Sequence, residues 1–213
     1  MSLYGHAVAA AYDPVLRSLE QGRLASCRRE LLGSLTGHVV DVGAGTGANL
    51  AHLPAQVDHV TAVEPDPAMA RRLRRRVTAQ AGWHRALGRD IEVVDGVAEA
   101  LPLPDASVDA VLVTLVLCSV QRPEVAVAEA RRVLRDDGVL VVLEHVRARG
   151  AARGLVQGML TPVWRRVARG CHLDRDTLDT LARGGFDVEA VAPWQLSRRG
   201  PTVPAIAGHA RPR

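Results

Sequence analysis

Five short apolar runs recur along the chain, separated by stretches of helical spacing, and that alternation constrains the fold more than any other feature. The runs cover residues 38–42, 59–64, 91–95, 108–114 and 139–143. The first, ending in glycines, has the look of a strand buried on both faces. A helical candidate at 6–33 carries Val8, Tyr12, Val15, Leu16, Leu19, Leu31 and Leu32 as apolar positions, with a break at Pro14. Another spans 67–82, with Met69, Leu73 and Val77 on one face. A third runs over 125–134, opened by Pro123 and ended by Asp136-Asp137-Gly138. Strands alternating with helices predict an α/β sheet of parallel strands, with right-handed crossovers placing helices on both faces. The tail differs: helices at 154–169 and 174–183, then short strands at 186–191 and 202–207 that extend the sheet edge.

Composition narrows the class. With 213 residues, 47% apolar and 23% charged, the chain is neither disordered nor too small for a core. No stretch of eighteen uncharged apolar residues occurs, so no spanning helix and no membrane partner is expected. Met1 to His6 shows no basic leader before an apolar run, so no secretory signal is expected. Cys27, Cys118 and Cys171 form no CxxC and read as reduced thiols, which makes the cytoplasm the expected compartment. The net charge of +4 comes from 27 arginines and no lysine, and its one dense run is Arg71-Arg72-Leu73-Arg74-Arg75-Arg76. Aromatics are only 3% and none interleaves that run, so it reads as a solvated helix face and no nucleic-acid partner is expected.

The chemistry concentrates after the first strand, in Asp41-Val42-Gly43-Ala44-Gly45-Thr46-Gly47-Ala48-Asn49-Leu50, a loop expected to open a helix. Alternate glycines let the backbone turn sharply and let a ligand reach main-chain amides. The spacing is GxGxG, neither the GxGxxG of dinucleotide binding nor a Walker A loop. Glycine spacing alone also describes a turn with no ligand. Glu64 favours a ligand, because it closes the second strand where α/β cofactor sites place a carboxylate for ribose hydroxyls. Asp95-Gly96-Val97-Ala98-Glu99 ends the third strand, where the base of a nucleoside would pass. Ligands of open α/β sheets sit outside the carboxyl ends of the strands, so these segments are predicted to converge there.

Asp41 to Gly47, Glu64-Pro65-Asp66, Ala98-Glu99-Ala100-Leu101-Pro102-Leu103 and Arg131-Arg132-Val133-Leu134 through Gly138 resemble the class I S-adenosylmethionine-dependent methyltransferases. The resemblance implies a Rossmann-like, seven-stranded, mostly parallel sheet with an antiparallel final strand. It implies S-adenosyl-L-methionine as donor and S-adenosyl-L-homocysteine as product. On that resemblance Asp41, Gly43, Gly45 and Gly47 surround the methionine end, Glu64 binds the ribose, and Gly96, Val97 and Ala98 flank the adenine. Ala44, Asn49, Pro65, Thr114 and Leu115 complete the cofactor set. Many relatives carry Asp where Val97 stands, which leaves main-chain atoms or Glu99 to meet the adenine amino group. The chain is read as one domain over 1–213: a helical cap (1–36), a cofactor core (37–148) and acceptor-side helices with the sheet edge (149–213).

A narrower resemblance, to the alkyl-thiol S-methyltransferases of animal membranes, rests on further segments. These are Arg28-Arg29-Glu30-Leu31-Leu32, Thr114 to Val120, Glu144-His145-Val146, Pro162-Val163-Trp164, Gly170 to Arg175 and Pro204 to Gly208. It implies a small-molecule thiol acceptor. The animal proteins' hydrophobic N-terminal anchor has no counterpart in this sequence, so membrane attachment is not carried over. Methylation of oxygen, nitrogen or carbon of a metabolite, of RNA, or cofactor binding without turnover are the alternatives.

His145 follows the fifth strand and reads equally as a proton acceptor for the substrate or as a satisfied polar residue. Cys118 reads as an acceptor-pocket wall or a small buried apolar residue. Cys171-His172 with Asp174 is read as part of an acceptor-side cap. No metal is expected, because adjacent residues rarely point at one ion and no pair lies at zinc spacing. Trp164, with Trp194 and Met159, reads as acceptor contact or plain core.

Overall fold

The computed structural model describes residues 22–148, 150–167, 170–195 and 204–213. The predicted helix positions Val8, Tyr12, Pro14, Val15, Leu16 and Leu19 lie outside the described residues, as do 168–169 of the tail helix and 202–203 of the last strand. The chain divides into two compact units, Met1–Val97 and Ala98–Arg213.

In the first unit the order is α1 (Arg23–Leu32), β1 (Gly37–Val42), a 3-10 turn (Asn49–His52), β2 (Val57–Val63), α2 (Pro67–Ala79), α3 (Ala81–Ala86) and β3 (Asp90–Val94). β2 lies between β1 and β3 and pairs with both in parallel. Val42 pairs with Val63, and Val63 with Val94, so all three strands end level and release their following loops along one edge. Val39, Val40, Val60, Ala62 and Val63 are fully buried, as the apolar runs predict. α1 buries Leu24, Cys27, Leu31 and Leu32 on one stripe, against the 3-10 turn. α2 starts cleanly: Pro67 stands in its first turn, and the Asp66 carboxylate accepts from the amides of Ala68 and Met69 at 2.7 and 3.1 Å. The predicted single helix over 67–82 is two, because Gln80 leaves helical geometry between α2 and α3.

One expectation fails. The glycine loop opens no α-helix but only the four-residue 3-10 turn. Pro54 is the reason: it forces Leu53 extended (ψ 131°), so the turn cannot propagate.

In the second unit the order is β4 (Val108–Thr114), α4 (Pro123–Val133), β5 (Leu134–His145), α5 (Ala151–Val167), α6 (Thr177–Arg183), β6 (Phe186–Asp187), β7 (Val191–Gln195) and β8 (Pro204–Pro212). β4 and β5 pair in parallel, and β8 runs antiparallel to β5 from Leu140–Ala210 to His145–Ala205. β6 and β7 both pair with β8, antiparallel. This is the Rossmann-like, mostly parallel α/β plan predicted, with eight strands among the described residues where seven were expected. The extra one arises because the strand predicted at 186–191 is interrupted. Asp187 accepts from the Glu189 amide at 2.9 Å, and Val191 N donates to Val188 O at 3.0 Å, which closes a turn between β6 and β7. Asp136-Asp137-Gly138 does not end a helix but lies within β5, at the register irregularity opposite Val108 to Ala110.

α5 differs from its expected packing. Leu155, Val156, Met159, Leu160, Val163 and Trp164 are exposed, so Met159 and Trp164 are not core residues. Among the described residues no helix is long and apolar enough to cross a membrane.

Gly208 faces the interruption between β6 and β7 with φ +155°, and a Cβ there would lie 2.1 Å from the Ala190 carbonyl oxygen. Gly208→Ala is therefore expected to destabilise the fold by about 1–3 kcal/mol in urea unfolding. Gly82→Ala, in open space within α3, is expected to gain up to about 1 kcal/mol.

Candidate functional site

The first unit builds its site from the loops that leave β1, β2 and β3. Ala44 N donates to Val63 O at 3.1 Å, which draws the glycine loop over the end of β2. Gly47 takes φ +86°, and a Cβ on it would lie 2.7 Å from Leu73 Cδ1, so the helix packed below admits only glycine. Gly45 differs: at φ +60° its nearest neighbour in the Cβ direction is Gly43 O at 4.0 Å, so that side of the loop is open.

Glu64 is buried just past β2, and its carboxylate joins two loops. Oε2 accepts from Gly45 N at 2.7 Å and Oε1 from Asp66 N at 2.8 Å. The Gly45 amide, one of those a ligand could use, is thus committed to Glu64. Pro65 beside it is exposed.

Asp41 is fully buried near the end of β1. Its Oδ1 accepts from Asn49 Nδ2 at 2.7 Å, and Asn49 Oδ1 accepts from Arg28 Nη1 of α1. Asn49, expected at the cofactor, is buried and holds Asp41 in place. Asp41 Oδ2 has no hydrogen-bond partner among the described residues. Burial pushes this carboxyl up to about 6, against the pull of the Asn49 hydrogen bond and the Arg28 charge.

After β3, Asp95 pairs with Arg74 Nη2 at 2.8 Å, Gly96 is half-buried and Val97 is 45% exposed. Two members of the arginine run are therefore fasteners more than a solvated face: Arg74 holds the end of β3, and Arg76 Nη1 donates to Thr46 O at 3.4 Å.

Ala98 opens the second unit and is buried. Glu99 follows it, half-buried. Its Oε1 accepts from Gln121 N and Arg122 N at 2.9 and 3.1 Å, at the start of α4.

Thr114 and Leu115 leave β4 half-buried, and Leu115 takes φ +62°, the left-handed region that a non-glycine residue enters only under constraint. That twist turns three successive amides toward Glu144. Val116 N and Leu117 N donate to Oε1 at 2.6 and 2.8 Å, and Cys118 N to Oε2 at 3.2 Å. Burial raises the Glu144 carboxyl, and the three amides oppose that. Sequence reasoning gave no role to Glu144; its signal was a charged residue ending the otherwise apolar run of β5.

The turn so fixed carries Cys118, next to His145 and Cys171. Cys118 Sγ, His145 Nδ1 and Cys171 Sγ all lie within 4.8 Å of one another, with Cys171 Sγ 3.5 Å from His145 Nδ1. Both cysteines are buried and His145 is half-buried. Cys171 is held below the usual thiol range, first by the hydrogen bond from Cys118, then by His145 and the Trp164 side chain; the same pairing and burial push Cys118 up. The segment after α5 is strapped to the turn: His172 N donates to Cys118 O at 2.7 Å, and the Arg175 guanidinium donates to Leu117 O and Val120 O. His172 Nδ1 lies 3.9 Å from Asp174 Oδ1. Trp194 lies on β7.

Comparison with known proteins gives this geometry a context. Residues 40–142 match the methyltransferase-domain family. The chain is 35% identical to the thiol S-methyltransferase TMT1B of Mus musculus over 199 residues, 88% of this chain and 79% of that protein. Its match to TMT1B of Rattus norvegicus, also 35% identical, spans 74% of this chain and 62% of the rat protein's length. Its fold is similar to that of a SAM-dependent methyltransferase from Thermotoga maritima, with a TM-score of 0.67, 22% identity and coverage of 98% of both chains.

Glu144→Gln replaces one acceptor oxygen by an amino group facing backbone donors. It is expected to lower stability by about 1–3 kcal/mol in thermal unfolding, the cost of a buried donor left unserved.

Proposed function

The chain belongs to the class I S-adenosylmethionine-dependent methyltransferases, and from that premise we propose that its acceptor is a small-molecule thiol. The observation that carries the proposal is the 32–35% identity to thiol S-methyltransferases, which extends well beyond the cofactor core to 88–89% of the chain. The free cysteines are consistent with a reducing cytoplasm as the compartment.

The residues of the first unit suit the donor. A fully buried carboxylate oxygen without a partner among the described residues, Asp41 Oδ2, calls for a donor such as an ammonium, and the open side of Gly45 leaves room beside the loop. When bound, S-adenosylmethionine supplies a methyl on a sulfonium sulfur, an electrophile that needs an aligned nucleophile more than activation. Asp41 would hold the amino-acid end, with Gly43, Ala44, Gly45 and Gly47 as the loop around it and Asn49 fixing the carboxylate. Glu64, immobilised by two amides, would meet the ribose hydroxyls, since each carboxylate oxygen accepts more than one donor. Pro65, Gly96 and Val97 would complete the surroundings within that unit.

In the second unit Cys118, His145 and Trp164 are the acceptor-side groups. A thiol with a pKa near ~8.5 loses its proton at small cost, so these residues need to orient sulfur and exclude water more than supply a strong base.

Incubated with labelled S-adenosylmethionine and a panel of alkanethiols, phenols and amines, the protein is expected to yield S-methyl thioethers with stoichiometric S-adenosylhomocysteine, identified by mass. Methylated phenols or amines in place of thioethers would sink the thiol assignment.

The donor site has its own pH signature. An ammonium pairs with Asp41 only when the carboxyl is ionised, so affinity should rise as pH climbs through about 6. Below that it should fall by up to about tenfold per pH unit. Calorimetry from about pH 5 to about pH 8 measures this. Asp41→Asn should bind weakly with a flat profile, and an unchanged slope in that variant would remove Asp41 from the donor site.

A further inference from the structure

We propose that Cys118 Sγ, His145 Nδ1 and Cys171 Sγ form a binding site for a divalent zinc-class ion, with its fourth position open to the acceptor's sulfur. Three observations carry this. The first is distance. Zinc bound at ~2.3 Å to sulfur and ~2.0–2.1 Å to nitrogen in a tetrahedron holds those two atoms roughly 3.5 Å apart. Cys171 Sγ and His145 Nδ1 are 3.5 Å apart, and all three donor atoms lie within 4.8 Å of one another.

The second is the donor set. Two thiolates and one imidazole are the soft-to-borderline combination that selects zinc over magnesium or calcium. Three protein ligands with a vacant fourth position are the pattern of a reactive zinc site, whereas a purely structural site takes four. Among the described residues no other His, Cys, Asp or Glu joins the group.

The third is anchorage. Each ligand is fixed by contacts that a chance meeting of side chains would not need. Cys118 sits on the turn whose amides grip Glu144. His145 follows Glu144 directly and pairs across β5 with Ala205 of β8. Cys171 is tied in by His172 N to Cys118 O at 2.7 Å and by Arg175 on the carbonyls of Leu117 and Val120. Rigid presentation of ligands on backbone held by outer partners is what a metal site requires.

The open position deepens the thiol proposal and rests on it. A thiol that coordinates the ion gives its proton to solvent and remains as thiolate. Its sulfur then forms the bond to the methyl carbon while the sulfonium carbon–sulfur bond breaks. The bonding pair stays on the departing sulfur, which becomes the thioether of S-adenosylhomocysteine, so nothing is oxidised or reduced. In this arrangement His145 holds the ion and takes up no proton.

The test uses the full chain, stripped of metal with a chelator and kept reduced. Titration with Co(II) is expected to give one equivalent of tetrahedral d–d absorption with thiolate-to-metal charge transfer, which Zn(II) then abolishes. Cys171→Ser and Cys118→Ser, checked for fold by circular dichroism and for donor uptake, should bind Zn(II) more weakly by over about a hundredfold, beyond the loss caused by outer-sphere changes. Cys27→Ser should bind as the parent does, since Cys27 is not one of the three grouped residues. Ethanethiol should shift the cobalt bands, and its S-methyl thioether should not. No tetrahedral cobalt spectrum in the parent protein, or a Cys118–Cys171 disulfide forming equally with and without Zn(II), would overturn the site. Full thiol methylation by the metal-free chain would overturn it too, while leaving the thiol acceptor standing. Metal binding without any thioether product would support the site and count against the acceptor alone.

Discussion

A carboxylate withdrawn from water at the carboxyl end of a strand must be given donors, and three such carboxylates organise the loops on which this protein's chemistry rests. An unpaired buried charge costs several kcal/mol, so each one dictates the backbone around it. Glu144 is fully served: the left-handed turn at Leu115 aims the amides of Val116, Leu117 and Cys118 at it. Glu64 is served by Gly45 and Asp66, and in being served it pins the glycine loop to the start of α2. Among the described residues Asp41 is served on one oxygen only.

That difference separates structure from function. A carboxylate with every donor in place is a fastener, and the turn it fastens presents Cys118. A carboxylate left half-paired inside a fold is a cost that folding alone does not explain. Holding Asp41 ionised at neutral pH costs about 3 kcal/mol, given a carboxyl pushed up from 3.8 to about 6 by burial. The sign is that of a raised acid: the native state keeps its proton longer, so this group's penalty grows as pH rises from about 4 to about 6. A donor that completes the oxygen's shell recovers that cost on binding. Arg28 and Asn49 keep the carboxylate oriented meanwhile.

Much of this was legible in the sequence, because strands buried on both faces leave continuous valine-rich runs and a glycine loop needs its positive φ angles wherever it occurs. β1 to β4 lie where the apolar runs placed them, though no residue of β3 is fully buried, and Glu64 stands directly after the end of β2. The misreadings have local causes. The helix expected after the glycine loop stops at four residues because Pro54 straightens Leu53. The strand expected at 186–191 is broken by a turn that Asp187 closes. The apolar residues of α5 carry the periodicity of a core helix, yet Leu155, Met159 and Val163 are exposed, and periodicity says only that a face is apolar. The sulfur–imidazole cluster was beyond sequence reasoning for a different reason. Its members come from the turn after β4, the end of β5 and the segment after α5, and only the fold makes them neighbours. In the sequence Cys171, His172 and Asp174 read only as part of an acceptor-side cap.

On the function proposed, the two units face different recognition problems with different physics. The first offers directional groups: backbone amides, a half-paired carboxylate and a carboxylate bridging two loops. Such groups discriminate by hydrogen-bond geometry, which suits a donor that never varies. The second offers sulfur, an imidazole and an indole. Trp164 stands on the exposed apolar face of α5, with Leu160 and Val163 beside it. Apolar contact tolerates changes of size far better than a hydrogen-bonded shell does, because a missing methylene forfeits only its own burial whereas a missing donor strands a buried acceptor. On that proposal acceptor preference is free to drift through α5 and the strap that follows it, while the loops around Asp41 and Glu64 stay fixed by the cost of leaving them unpaired.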